Sequence, residues 1–138
     1  MSEAAANYLR ESIMQVPFHQ WLRPEVNAVE EDDSAVEIRL PVRPEFRRDP
    51  NDPAIHGGIV AALIDIAAHA AIAARTRHGI PTVDMRIDYL RKAGGTEVFA
   101  RGKTVRFGRA LGLVDVTVHD DEQRLVATGR CLFMTRPG

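Results

Sequence analysis

Hydrophobic and polar residues follow two rhythms along this chain. In residues 35–42, Val36, Ile38, Leu40 and Val42 alternate with Glu37, Arg39 and Pro41, the period of two of a half-buried strand. Residues 26–30 pair with it as a hairpin through the polar turn 31–34. Residues 4–16 instead place Leu9, Ile13 and Val16 on one helical face, and Pro17 is expected to end that helix. Residues 19–24 then form a connector with Trp21 and Leu22 docked on the body. A loop over 43–55, with Pro44, Pro50 and Pro53, is long enough to suggest a functional role.

The pattern changes at 56–77. Between Ile59 and Ala74 only Asp65 and His69 are not apolar, and most of the others are alanine. A helix apolar on all sides is a buried one, and side chains this small let a sheet approach closely. Gly79 and Pro81 are expected to close it. Strands are predicted at 83–89, 96–107, 111–120 and 124–135. In the last, Leu125, Ala127, Gly129, Cys131 and Phe133 make a mostly small face suited to lie on a helix. One buried helix and runs of strands give an α+β class, a curved antiparallel sheet wrapped around the helix.

Composition narrows the class. The 138 residues are 45% apolar and 27% charged, as in a globular chain, and fit one domain over 1–138 with residues 1–25 as an N-terminal helix and connector. With 18 Lys plus Arg against 19 Asp plus Glu, the net charge of −1 gives no electrostatic case for nucleic acid. A single cysteine, Cys131, excludes an internal disulfide framework and a Cys-rich zinc site. Residues 1–6 lack the start of a secretory signal. The apolar run 59–74 falls short of the roughly 20 residues of a membrane span and holds Asp65 and His69, so no membrane and a cytoplasmic location are expected.

Two features carry chemistry. His56-Gly57-Gly58 opens the long helix, where first-turn N–H groups have no intrahelical partner and the helix dipole is positive. That suits an anion or a developing oxyanion; the other reading is a tight turn into the helix, where glycine relieves backbone crowding. Asp65 is a carboxylate in apolar surroundings, which points to a base, a nucleophile, an acid of raised pKa, or a buried carboxylate held by an N–H or an arginine. Along one helix Gly57 and Asp65 lie about 12 Å apart, too far to share one carbonyl. Two helices antiparallel across a two-fold axis would bring each Gly57 to the other chain's Asp65, so a catalytic reading demands a dimer.

The run His56-Gly57-Gly58-Ile59-Val60-Ala61-Ala62-Leu63-Ile64-Asp65 resembles the signature of hot-dog-fold thioesterases of the phenylacetate-pathway (PaaI-like) type. Val105-Arg106-Phe107-Gly108-Arg109-Ala110-Leu111 resembles that family's strand-turn-strand, and the likeness covers residues 26–135. It implies hydrolysis of acyl-CoA thioesters, short-chain or aryl, by a homodimer or homotetramer without metal or redox cofactor. The Gly57 N–H would polarise the carbonyl, Asp65 of the neighbouring subunit would attack or activate water, and His56 would hold the loop or substrate. Thr82 falls where members often carry a hydroxyl near that water. Members often place an asparagine six residues before the histidine; Pro50 stands there, and Asn51 is the nearest amide.

Other residues fit around this picture. His69, one turn past Asp65, either hydrogen-bonds it or fills the subunit interface. His19, His78 and His119 read as surface or turn residues, and no metal-ligand spacing occurs. Arg91, Lys92, Arg106 and Arg109 are either a phosphate-binding rim or solvated strand ends. Gly58, with Leu63, Ile64 and Met85 in an apolar slot, completes the expected substrate contacts. A hot-dog hydratase or dehydratase using His56 and Asp65, and a non-catalytic acyl-CoA-binding protein, are the alternatives.

Overall fold

The apolar helix is the spine of the structure. The computed structural model describes residues 2–136. In it α3 (Gly57–Thr76) lies in the hollow of a six-stranded sheet of β1 (Glu25–Val29), β2 (Ala35–Pro41), β5 (Thr82–Tyr89), β6 (Glu97–Phe107), β7 (Leu111–Asp120) and β8 (Leu125–Met134). The spatial order is β1-β2-β6-β7-β8-β5, every pair antiparallel. Because β5 joins beyond β8, it is an edge strand. Leu63, Ile64, Ala67, Ala68, Ala71 and Ile72 of α3 are fully buried on β2, β6, β7 and β8. Burying each leucine or isoleucine stabilises the fold by about 1.5–3 kcal/mol.

Close approach is built in from both sides. A Cβ at Gly102 of β6 would lie 2.5 Å from the Ala67 carbonyl oxygen, and one at Gly129 of β8 would lie 2.6 Å from Ile64 Cγ2. The sheet thus presents glycine where the helix presents its backbone or a branched side chain. At 20 residues, α3 extends past the apolar run 59–74 and is long and apolar enough to match a membrane span by length and composition. Most of it is buried inside the fold, with Leu63, Ile64, Ala67, Ala68, Ala71 and Ile72 against the sheet, which identifies it as the core helix.

Several boundaries differ from expectation. α1 (Glu3–Met14) stops early, and Pro17 begins α2 (Pro17–Leu22) at the first helical position, where its missing N–H costs no hydrogen bond. Val16 is therefore the N-cap of α2 and exposed, while Leu9 and Ile13 are buried. Leu22 docks fully, but Trp21 remains 47% exposed beneath the Arg43 guanidinium. The long loop is largely structured: a 3-10 turn (Pro44–Phe46) leads into the hairpin β3 (Arg47–Asp49) and β4 (Asp52–Ile55). Arg77, not Gly79, takes the left-handed conformation ending α3, and its Nε donates to the Ala74 carbonyl.

Candidate active site

The start of α3 is fixed by His56. Its backbone N–H donates to the Phe46 carbonyl (2.6 Å), and its Nδ1 accepts the Gly58 N–H (2.8 Å). The imidazole is thus the helix N-cap, and with Nδ1 accepting, the neutral ring carries its proton on Nε2. That leaves it a donor on its free side, which suits a brace better than the base a hydratase needs. A side chain at Gly58 would press on Nδ1 at 2.9 Å. With Gly58 capped, the Gly57 N–H is left without an acceptor among the described residues. This is the amide that the sequence singles out.

Gly57 opens onto a cleft of about 300 Å³ between β4, the start of α3 and the end of β5. Ile55, Val60 and Tyr89 wall it, and Arg48, Arg91 and Lys92 stand at its rim. Tyr89 Oη donates to the Gly57 carbonyl at 2.9 Å. Asp52 Oδ2 accepts from Arg48 (Nε, 3.0 Å) and Lys92 (Nζ, 3.4 Å), while Oδ1 accepts the Ala54 N–H. The Ala54 amide and then Arg48 hold the Asp52 carboxyl down at about 2.

Further along α3, Asp65 is half-buried, and its Oδ1 accepts from Thr82 Oγ1 at 3.0 Å. No arginine pairs with it among the described residues, so it is not the internally locked carboxylate that the sequence leaves open. It shares an open helix stripe with Gly58, Ala61, Ala62 and His69. Beside the stripe runs β5, with Val83 52% and Tyr89 56% exposed. Gly57 and Asp65 occupy the same helix, so the separation of about 12 Å stands.

The remaining expected residues divide. Thr82 is brought to Asp65. His69 makes no bond to Asp65; its Nε2 accepts the Ile80 N–H at 3.4 Å and its ring meets the edge of Phe133. Burial holds His69 below the usual imidazole value, outweighing the upward pull of Asp65. Asn51 sits in the β3–β4 turn, where its N–H donates to Asp49, and its side chain makes no hydrogen bond to His56 or Asp65 within the chain. Arg91 and Lys92 reach the Gly57 cleft. Arg106 and Arg109 lie by the other end of α3, where Arg75 stacks on Phe107, about 27 Å along the helix from Gly57. Leu63 and Ile64 are sealed in the core, which removes them from the expected acyl slot; Met85 is half-buried on β5. Burial raises the Cys131 thiol to about 12, so it is no nucleophile.

Sequence reasoning misses Tyr89, Arg48 and Asp52. A tyrosine closing an edge strand needs a partner for its polar tip, and Asp-Pro-Ala is a local capping pattern; both signals are present. Among the described residues, no group of three His, Cys, Asp or Glu side chains converges to hold a metal ion.

The thioesterase superfamily pattern matches residues 53–127, which contain the His56 cap, Gly57, Asp65, Thr82 and Tyr89. This chain belongs to the thioesterase superfamily, has the hot-dog fold, and is a thioester hydrolase. It is similar to a solved thioesterase-superfamily protein at 32% identity, with a TM-score of 0.90 over 96% of this chain and 99% of that one. A thioesterase family protein from Silicibacter pomeroyi shares the fold at 22% identity, with a TM-score of 0.83 over 94% of this chain and 96% of that one. The medium/long-chain acyl-CoA thioesterase YigI of Escherichia coli is 24% identical over 137 residues, spanning 88% of this chain and 87% of that protein.

Proposed function

We propose that this chain hydrolyses acyl-CoA thioesters as a homodimer, or a homotetramer built from it, with each site assembled from two subunits. The observation that carries this reading is the division of labour along α3: an amide left open at Gly57 and a carboxylate steadied by Thr82 at Asp65, about 12 Å apart. Antiparallel pairing of two α3 stripes, eased by Gly58, Ala61 and Ala62, sets each Gly57 against the partner chain's Asp65. Exposed edge strand β5 lies beside the same stripe and supplies unpaired backbone for the partner.

In this arrangement the thioester carbonyl oxygen accepts the Gly57 N–H, which stabilises the charge that develops when the carbonyl is attacked. Asp65 of the opposite subunit either takes a proton from water as it attacks or attacks itself and is then freed by water. One water is consumed; the acid and coenzyme A thiol leave. His56 keeps the helix start in place, and Arg91 and Lys92 receive phosphate at the cleft rim. The reaction calls for no metal or redox cofactor, since coenzyme A arrives with the substrate.

The PaaI-like resemblance favours short-chain or aryl acyl groups. Similarity to YigI supports a second reading, medium or long chains. A thiol-release screen across acetyl-, phenylacetyl-, octanoyl- and palmitoyl-CoA separates them. Run beside it, Asp65→Asn is expected to lower kcat by at least about a hundredfold while keeping the fold. Full activity in that variant contradicts the assignment.

A further inference from the structure

We propose that Tyr89 is a positioning residue that fixes the oxyanion-binding amide of Gly57. The inference rests on the active-site reading above. Glycine at the first position of a helix has the widest backbone freedom, and an amide that can swing is a poor electrostatic partner for a transition state. Two side chains limit that freedom here. His56 holds the Gly58 N–H from one side of the peptide at 2.8 Å. Tyr89 holds the Gly57 carbonyl of the same peptide at 2.9 Å from the other.

The ring adds a steric limit. A Cβ built on Gly57 would meet Tyr89 Cε1 at 3.4 Å and Cζ and Oη at 3.5 Å, so the ring lies against the bare face of the glycine. It also walls the cleft onto which Gly57 opens. Tyr89 is 56% exposed, so its burial contributes little to the core, and the core does not require an aromatic residue there. What the residue does is grip the peptide next to the reacting amide.

The position of Tyr89 on β5 extends the argument. The same strand begins at Thr82, which holds Asp65. Antiparallel dimer pairing assigns Gly57 with Tyr89 to one site and Asp65 with Thr82 to the other. One edge strand therefore braces the electrophilic half of one site and the acidic half of its twin.

The test compares Tyr89→Phe with the unmodified enzyme, and with Asp65→Asn as a reference. Steady-state kinetics on the best acyl-CoA of the screen is paired with the amide proton–nitrogen spectrum of uniformly labelled protein. The inference predicts a five- to twentyfold lower kcat for Tyr89→Phe, KM within twofold, an unchanged melting temperature, and shifted Gly57 and Gly58 amide signals. Tyr89→Leu serves as the second variant. It removes ring and hydroxyl together and is expected to fall at least as far in kcat. Unchanged kcat in Tyr89→Phe, whether or not the Gly57 and Gly58 signals move, overturns the inference when Asp65→Asn is inactive. Full activity in Asp65→Asn overturns the underlying active-site reading instead.

Discussion

Thr82 Oγ1 donates to Asp65 Oδ1 at 3.0 Å, tying the first residue of an edge strand to the one carboxylate on the open stripe of the core helix. The bond occupies one carboxylate oxygen and leaves Oδ2 for other work. It also restricts rotation of a side chain that the apolar helix would otherwise leave loose. Thr82→Val keeps the shape and removes the donor. It is expected to lower kcat about tenfold with little change in KM, and Thr82→Ser is expected to stay within about twofold of the parent. Steady-state kinetics on one acyl-CoA checks both.

His56 acts through the helix start. His56→Ala removes the acceptor for the Gly58 N–H and is expected to destabilise the chain by about 1 kcal/mol, the usual loss for an N-cap. Asn, a good N-cap, is expected to restore most of that stability at position 56. Denaturant unfolding of the two variants measures the difference.

Acid sensitivity should appear in two ranges. Burial holds His69 below its ordinary 6.5, so the folded chain binds that proton more weakly than the unfolded one. Its contribution to stability is full above 6.5 and declines as pH falls below that value. Asp52 is held at about 2 against an ordinary 3.8, so its contribution is full above 3.8 and is lost as pH falls towards 2. Melting temperature followed from pH 8 downward should fall in these two stages. His69→Gln is expected to flatten only the first, and Asp52→Asn to make the second shallower.

The fit of helix to sheet makes its own prediction. Gly102→Ala would drive a methyl to 2.5 Å from the Ala67 carbonyl oxygen, and overpacking of this kind costs about 1–3 kcal/mol. Gly79→Ala, with nothing within 4 Å and no left-handed backbone, is expected to leave stability unchanged or slightly raised. Thermal unfolding of the pair tests whether close approach at Gly102 is what the core demands.

Much of this fold is legible in the order of the amino acids. The alternation at 35–42 and the unbroken apolar run after Ile59 define β2 and α3, because burial on one face or on all faces leaves a direct mark on residue type. Gly57 and Asp65 are visible as chemistry out of place, a bare helix start and a charge among alanines. The hairpin at 47–55 is not visible in this way: β3 is three exposed residues, Arg47, Arg48 and Asp49, with no apolar period. Leu63 and Ile64 differ from their expected place in the acyl slot because an all-apolar helix does not show which side faces the sheet. Tyr89 continues the alternation of Val83, Met85 and Ile87, which by itself points to the inner face. At an edge strand that alternation no longer reports burial, and the polar tip of the tyrosine decides where it goes.

The most direct test of the two-subunit site mixes two inactive variants. Gly57→Pro removes the N–H, and proline suits the first position of a helix, with His56 already extended at φ −60° and ψ 137°. Asp65→Asn removes the acid from the other half. Unfolded together and refolded at equal ratio, half of the dimers pair one of each, and every mixed dimer regains one complete site. Activity should therefore return to about a quarter of the parent's. If the mixture remains as inactive as either variant alone, while both variants refold as dimers, the amide and the carboxylate do not meet across the subunits.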